Sequence, residues 1–167
     1  MRASSVVLLP HAPSSVAIAR QCLRSELIAS GVLQSVIDDV NVIMSELLSN
    51  ALRHARPLPS GQIKLTWIRS DDAIEVAVSD GGAMTEPRRN NPTLSSLGGR
   101  GLGIVESLAE CWGVRYEDGG TTVWAVLRSA QSSSTNGRAG MDAPRPAVTV
   151  QPGISGIPAV DVLNRTR

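Results

Sequence analysis

The sequence predicts an α+β fold, a two-layer sandwich in which helices cover one face of a mixed, mostly antiparallel sheet. Two long stretches near the start repeat apolar residues at helical spacing. Two pairs of short alternating segments are joined by turn residues, and a third helical stretch stands between these pairs. At 167 residues the chain is about one domain long.

Composition is ordinary and excludes several classes of protein. The chain is 42% hydrophobic and 19% charged with a formal net charge of +1, so charge gives no reason to expect a direct nucleic-acid or membrane partner. Cys22 and Cys111 lie far apart without CxxC spacing, which indicates neither a zinc site nor a disulfide framework, and we expect both to be reduced and partly buried. The apolar runs are too short for a signal-peptide core or a membrane span. We therefore expect a cytoplasmic protein.

The first half of the chain predicts a strand followed by two helices. "SSVVLLP" predicts a strand ended by Pro10, and "SSVAIARQCLRSELIASG" predicts an amphipathic helix with serine caps at its start and Gly31 as its stop. A longer helix is predicted over roughly 33–55 and is ended by two prolines and a glycine. The apolar positions of the first helix are Val16, Ile18, Ala19, Cys22, Leu23 and Leu27.

The second half predicts two hairpins separated by a loop and a helix. "QIKLTWI" and "AIEVAVSD" alternate around the turn "RSDD". Residues 81–100 show no period and form a loop longer than the usual ~4 to 6 residues, which is typical of a functional lid. "GLGIVESLAECWG" predicts a helix with Trp112 on its apolar face, and "VRYED" and "TTVWAVLRS" predict the last hairpin.

Composition changes after residue 129. The segment 130–167 is rich in Ser, Gly, Pro and Ala and lacks both periods, so we predict a folded domain over 1–129 and a disordered tail over 130–167. The pieces "AVTV" and "IPAVDVL" are the tail's candidates for docking on another surface.

A polar row in the second helix is the first candidate for chemistry. Glu46, Asn50 and His54 are four positions apart and border the apolar face. A solvated stripe is the alternative, but it would usually pair Glu with Lys or Arg one turn on, whereas Asn50 offers no charge and is a poor helix former. An amide oxygen and a carboxylate one turn apart suit Mg²⁺ and a general base. The predicted apolar face contains Val40, Ile43, Met44, Leu48, Ala51 and Ala55.

Three further features are weak when taken singly. Asp80 ends a strand before two glycines, which is most often just a turn, although such a carboxylate can accept a hydrogen bond from an exocyclic amine such as that of adenine. Gly98, Gly99, Gly101 and Gly103 open a helix, whose free N–H groups attract phosphate. The glycines match neither a Walker A loop nor a dinucleotide motif, and a flexible lid hinge is the alternative. Threonines at the start of the last strand are ordinary β formers.

Taken in order, "ELLSNALRHA", "VSDGGAM", "GGRGLGIVESLAECWGV" and "GTTVWAVL" resemble the N, G1, G2 and G3 boxes of the GHKL ATPase superfamily. That superfamily shares the Bergerat ATP-binding fold and includes DNA gyrase, Hsp90, histidine kinases and MutL. The resemblance covers roughly residues 5–129. Within the superfamily the chain resembles the small stand-alone branch of anti-sigma-factor serine/threonine kinases, the RsbW and SpoIIAB type. The HRD and DFG signatures of ordinary protein kinases do not occur.

This resemblance implies ATP and Mg²⁺ as cofactors. Glu46 matches the base that activates the attacking hydroxyl or water, Asn50 the Mg²⁺ ligand, and Asp80 the residue that reads adenine. Met84 stands where many relatives carry glycine. The other positions that the resemblance assigns to nucleotide binding are Arg53, His54, Gly82, Arg100, Gly101, Leu102, Gly103 and Thr122.

The leading hypothesis is an anti-sigma-factor serine/threonine kinase that transfers the γ-phosphate of ATP to a serine on a small STAS-type antagonist. The resemblance also implies a sigma factor as partner and suggests a homodimer. The alternative is a non-catalytic ATP-binding module that sequesters a partner. Simple ATP hydrolysis is disfavoured because a transducer domain that could use the energy is missing from the sequence.

Overall fold

The structure, a computed structural model, describes residues 2–83, 99–117, 119–129 and 148–152. Helices cover one face of a six-stranded sheet, which confirms the predicted α+β class. None of the helices in these ranges is both long and apolar enough to span a membrane. The elements in chain order are β1 (Ala3–Pro10), α1 (Ser15–Ala29), α2 (Gln34–His54), β2 (Gln62–Arg69), β3 (Ala73–Asp80), α3 (Gly99–Leu108), β4 (Cys111–Glu117), β5 (Gly120–Arg128) and β6 (Val148–Pro152).

The sheet has the order β1-β2-β3-β5-β4-β6. The pairs among β1 to β5 are antiparallel, and β6 runs parallel to β4, so the sheet is mixed and mostly antiparallel as predicted. Strand β3 lies in the middle and is buried along its whole length. At this end of the strand β2 pairs as far as Ser79, and Asp80 pairs with Thr121 of β5.

Strand β6 corrects the prediction of a wholly disordered tail. Residues 148–152 pair with 112–116 along the edge of β4. Residues 148–150 belong to the piece "AVTV", which the sequence marks as a candidate for docking, and the open edge of β4 satisfies the backbone N–H and C=O groups of the strand. The remaining residues of the predicted tail, 130–147 and 153–167, lie outside the described residues. The domain boundary after residue 129 therefore stays a prediction.

The main core lies between the helices and one face of the sheet. Alternate residues of β3, Ile74, Val76 and Val78, point to this core, while Ala73 and Ala77 belong to a small cluster on the opposite face. Helix α2 is the central helix and confirms the predicted apolar face. Its buried residues are Val36, Ile37, Val40, Asn41, Ile43, Met44, Leu47, Leu48 and Ala51.

The third helix is shorter than the sequence predicts. Helix α3 begins at Gly99, inside the predicted loop, and ends at Leu108, and Trp112 lies in β4 opposite Ala125. The ladder begins where the Glu110 N–H donates to the Val126 carbonyl over 2.8 Å. A short apolar run fits a helix and a strand equally well, and the free edge of β5 decides the outcome here.

Two smaller expectations for α1 are also wrong. Ser14 makes no side-chain cap, and the buried Ser15 hydroxyl instead donates to the Pro10 carbonyl over 2.6 Å. Cys22 is exposed and only Cys111 is half-buried. The predicted stop is confirmed, since Gly31 follows the end of the helix with a φ of 72°.

A carboxylate attaches α1 to the sheet. Glu26 accepts hydrogen bonds from the Ser5 hydroxyl at 2.7 and 2.8 Å and from the Trp67 indole N–H at 3.1 Å. Trp67 is 2% exposed, so its N–H depends on this acceptor. The contact holds α1 against β1 and β2.

We expect Glu26→Ala to lower the free energy of unfolding by about 1 to 3 kcal/mol, because it leaves the buried Trp67 N–H without its acceptor. Urea denaturation followed by tryptophan fluorescence measures the change. Gln21→Ala, at an exposed position of the same helix, is the control and should stay within about 0.5 kcal/mol of the wild type. Equal effects of the two substitutions would contradict the role of Glu26.

Candidate functional site

The polar row of α2 lies where the sequence predicts it, at the border of the core. Glu46 and Asn50 are half-buried, and Arg53 and His54 are exposed in the last turn. The Asn50 side-chain nitrogen is buried and has no hydrogen-bond partner among the described residues. An unsatisfied buried amide lowers stability by about 1 to 3 kcal/mol. The unpaired Asn50 nitrogen therefore indicates a place where a ligand can supply the hydrogen-bond partner.

Asp80 ends β3 and is 4% exposed. Burial raises the pKa of this carboxyl to about 6, against the opposing effects of a hydrogen bond from the Gly82 N–H and of nearby His11. The Gly82 N–H donates to the Asp80 Oδ1 over 2.8 Å. A buried carboxylate held in this way can accept a hydrogen bond from a ligand amine.

A short backbone clamp joins the end of α2 to the turn after β3. The Arg56 N–H donates to the Gly82 carbonyl over 2.9 Å, and the Gly81 N–H donates to the Arg56 carbonyl over 2.7 Å. Ala55 and Ala83 form an antiparallel bridge. These contacts hold the segment that follows Asn50 against the turn that follows Asp80.

Glycine is required at this clamp for close approach. A Cβ at Gly81 would overlap the Pro57 carbonyl oxygen, and one at Gly120 would overlap the Asp80 carbonyl oxygen. Gly82 has a φ of 89°, a conformation that L side chains rarely adopt. The two glycines after Asp80 therefore serve the turn itself, whether or not a ligand approaches.

The structure does not bring Thr122 together with Asp80. Thr122 pairs with Ser79 across the strands, and their hydroxyl oxygens lie 2.7 Å apart in the sheet face that also buries Trp124. Thr121 instead pairs with Asp80. Thr121 is the residue that the sequence reasoning missed, because two adjacent threonines can be told apart only by the strand register.

Helix α3 brings its glycine-rich start toward the Asn50 end of α2. The helix packs against α2, and its end at Leu108 lines one cavity together with Val36 from the start of α2 and Leu127 from the end of β5. The two helices therefore run in opposite directions. Arg100 and Gly101 lie in the first turn, Leu102 is buried in the core, and Gly103 is exposed.

Most of the predicted lid loop, residues 84–98 of 81–100, lies outside the described residues. This applies to residues 85–97 and to Met84, which replaces a glycine of the resembled motif. The described part of the site consists of α2, the turn after β3, the start of β5 and the first turn of α3.

A divalent cation fits this site only together with a ligand that brings its own oxygens. No group of three or more His, Cys, Asp or Glu in the described ranges could hold a metal. Mg²⁺ usually keeps several waters and binds one or two protein groups plus phosphate oxygens. The side-chain oxygen of Asn50 can be one such protein ligand, and its unpaired nitrogen is a hydrogen-bond donor that suits a phosphate oxygen and not a cation.

Comparisons with known proteins agree with the fold and identify the family. Residues 9–127 match the family model of the histidine kinase-like ATPase domain. The serine-protein kinase RsbW of Listeria monocytogenes serotype 4a (strain HCC23) is 27% identical over 146 residues, which cover 76% of this chain and 93% of that protein. The serine-protein kinase RsbW of Staphylococcus epidermidis is 30% identical over 128 residues, which cover 69% of this chain and 80% of that protein.

One solved structure shares the fold. The crystal structure of the RsbU and RsbW domains of Rv1364c from Mycobacterium tuberculosis superposes with a TM-score of 0.59 at 22% identity. The match covers 75% of this chain and 32% of that chain, so the present sequence corresponds to about a third of the chain in that structure.

Asp80 makes stability depend on pH in a defined direction. Because burial raises its pKa to about 6, the folded protein holds the proton more tightly than the unfolded chain, and this contribution to stability is lost as pH rises from about 4 through about 6. Asp80→Asn removes the buried charge. We expect it to raise the free energy of unfolding of the ligand-free protein by about 1 to 2 kcal/mol at pH 7.5 and to have little effect below pH ~4.

Urea denaturation at a series of pH values measures this difference. Asp39→Asn, at an exposed carboxylate of α2, is the control and should leave the pH dependence unchanged. If Asp80→Asn follows the wild-type curve at every pH, the burial cost assigned to Asp80 is wrong.

Proposed function

The chain belongs to the histidine kinase-like ATPase domain family, and on that basis we propose that it is an ATP-binding regulator, an anti-sigma-factor serine/threonine kinase that phosphorylates a small antagonist protein. One observation supports it most. The unpaired buried amide of Asn50 and the buried carboxylate of Asp80 are held by the same backbone clamp. ATP with Mg²⁺ offers a partner to both groups: an exocyclic amine to Asp80, and at Asn50 a phosphate oxygen for the unpaired side-chain nitrogen and a cation for the side-chain oxygen.

The base would be recognised at the end of β3. Asp80 is the acceptor for the adenine amine, and Thr121 is the neighbouring hydroxyl in register with it. An ionised carboxylate accepts a stronger hydrogen bond than a neutral group does. Gly82 leaves this side of the turn open, since an added Cβ there would come no closer than 3.8 Å to Thr121 Oγ1.

The phosphates would lie between α2 and the start of α3. The first four N–H groups of a helix have no intrahelical partner, and the dipole places partial positive charge there, so the first turn with Arg100 and Gly101 suits phosphate. Gly103 follows this turn directly. Arg53 and His54 stand in the exposed last turn of α2 as further donors. Thr122 has no part in this arrangement, because its hydroxyl bonds to Ser79.

Glu46 would accept the proton of the attacking serine hydroxyl. It stands one turn before Asn50 and is half-buried at the edge of the core, so it can reach a group at the phosphates without being withdrawn from solvent. Bound ATP supplies the transferred phosphoryl group, and Mg²⁺ neutralises part of its charge. The protein's own contribution is positioning and electrostatics.

The proposed partners follow from the relatives. Proteins named serine-protein kinase RsbW match most of the chain, and we carry over a STAS-type antagonist as substrate and a sigma factor as the sequestered partner. A homodimer and a cytoplasmic location belong to the same proposal. Each of these stands on the family alone.

Calorimetric titration with Mg-ATP tests the nucleotide site. The wild type should bind, and Asn50→Ala should weaken Mg-ATP at least about tenfold while changing magnesium-free ATP less, because the contact of the side-chain oxygen with the cation exists only when magnesium is present. Gln34→Ala, an exposed amide at the opposite end of α2, is the matched control and should bind like the wild type. A wild-type protein that gives no heat with millimolar Mg-ATP would contradict nucleotide binding altogether.

Phosphoryl transfer to the STAS-type antagonist of the same host tests the kinase. Glu46→Gln should slow transfer by about 10² to 10⁴, the usual contribution of a general base, and should leave Mg-ATP affinity within about threefold. Asp39→Asn on the same helix serves as the control. A wild type that captures its partner without phosphorylating it would favour the non-catalytic module, and phosphate release that needs no protein acceptor would favour simple hydrolysis.

A further inference from the structure

His11 lies in the turn between β1 and α1, outside the four nucleotide motifs of the sequence. Its Nε2 stands 3.0 Å from the carbonyl oxygen of Ala55. A carbonyl can only accept, so Nε2 carries the proton and donates. The bond joins two parts of the chain that are 44 residues apart.

The turn that carries His11 is itself held firmly. The Ala12 N–H donates to the Pro10 carbonyl over 2.8 Å, and the Ser15 N–H donates to the Ala12 carbonyl over 3.0 Å. The Ser15 side chain is fully buried and bonds to the same Pro10 carbonyl. His11 therefore offers its donor from a fixed point at the end of β1.

The acceptor of this bond is the residue through which α2 joins the Asp80 turn. Ala55 is the C-cap of α2, where the last carbonyls lack helical partners, and it bridges to Ala83. Arg56, the next residue, makes both backbone bonds to Gly81 and Gly82. Fixing Ala55 therefore fixes the start of the clamp.

His11 also acts on Asp80 directly. It is the titratable side chain of the described residues that lowers the pKa of Asp80 through its charge, against the effect of burial. The ring thus touches the end of α2 on one side and favours the ionised form of the base-reading carboxylate on the other.

We propose that His11 is a positioning residue of the nucleotide site, which sets the placement of the Asn50 segment relative to Asp80 by anchoring the Ala55 carbonyl to the end of β1. This inference rests on the proposed nucleotide binding. His11 touches neither base nor phosphate in this role. It restricts the movement of the backbone clamp, so that Asn50 and Asp80 are already in their binding positions before ATP binds.

The test compares three variants of the full chain by Mg-ATP calorimetry and urea denaturation. His11→Ala removes the donor, and His11→Gln keeps a side-chain N–H on a neutral group. Ser5→Ala is the matched control. It removes the hydrogen bond from the Ser5 hydroxyl to Glu26, a contact of β1 that lies away from the clamp. We expect His11→Ala to weaken Mg-ATP by about three- to tenfold, the size of one hydrogen bond, and His11→Gln to restore most of it.

A purely structural role would give a different pattern. Ser5→Ala should lower stability and leave the Mg-ATP affinity unchanged, which separates loss of fold from loss of positioning. The proposal is overturned if the wild type binds and His11→Ala binds equally well, or if Ser5→Ala loses as much affinity as His11→Ala at similar stability. A wild type that does not bind Mg-ATP overturns this inference and the proposed function together, whereas the first two results leave the proposed function standing.

Discussion

The backbone pairing between the end of α2 and the turn after β3 is the constraint on which the rest of the site depends. Ala55 and Arg56 meet Gly81, Gly82 and Ala83 through two hydrogen bonds and a bridge. The approach is so close that a side chain at position 81 would overlap the opposite backbone. A helix that belongs to the core is thereby joined to the end of the central strand. Polar groups on the two elements keep a constant relation because the backbone, and not the side chains, makes the contact.

The same arrangement explains why polar groups are found beside a tightly packed core. Strand β3 is buried along its whole length and helix α2 has a continuous buried face, and at one end of each the apolar pattern gives way to Asn50 and to Asp80. Burial raises the pKa of Asp80 to about 6, and the Asn50 amide lacks a described partner. Both features cost stability in the ligand-free protein, and such costs are typical of sites prepared for a ligand. Comparable costs occur elsewhere in the described residues, where the Asn41 Oδ1 and the Trp112 indole nitrogen also lack partners and burial raises the pKa of Glu75 to about 7, whereas Glu26 satisfies both Ser5 and Trp67.

Errors of the sequence-based predictions occur where a residue's environment is supplied by a distant segment. Trp112 fits the apolar face of a continued helix, yet it pairs with Ala125 because β5 offers an edge. The piece 148–152 contains most of a docking candidate but is too short to predict a strand by itself, and the open edge of β4 makes it one. The serines at the start of α1 fit the pattern of helix caps, whereas the Ser15 hydroxyl donates a hydrogen bond to the Pro10 carbonyl at the end of β1. In each case the local pattern allows two outcomes, and a long-range partner selects one.

By itself the sequence determined the α+β class, the two long helices, the hairpin strands, and the polar row at the edge of the apolar face of α2. These features depend on periods of apolar residues and on turn glycines, which are local properties of the chain. Only the tertiary structure decided that Thr121, and not Thr122, shares the row of Asp80, because a shift of one residue moves a side chain to the other face of a sheet. It alone also brought His11 to Ala55 across 44 residues, since a single hydrogen bond between distant segments leaves no periodic mark in the sequence.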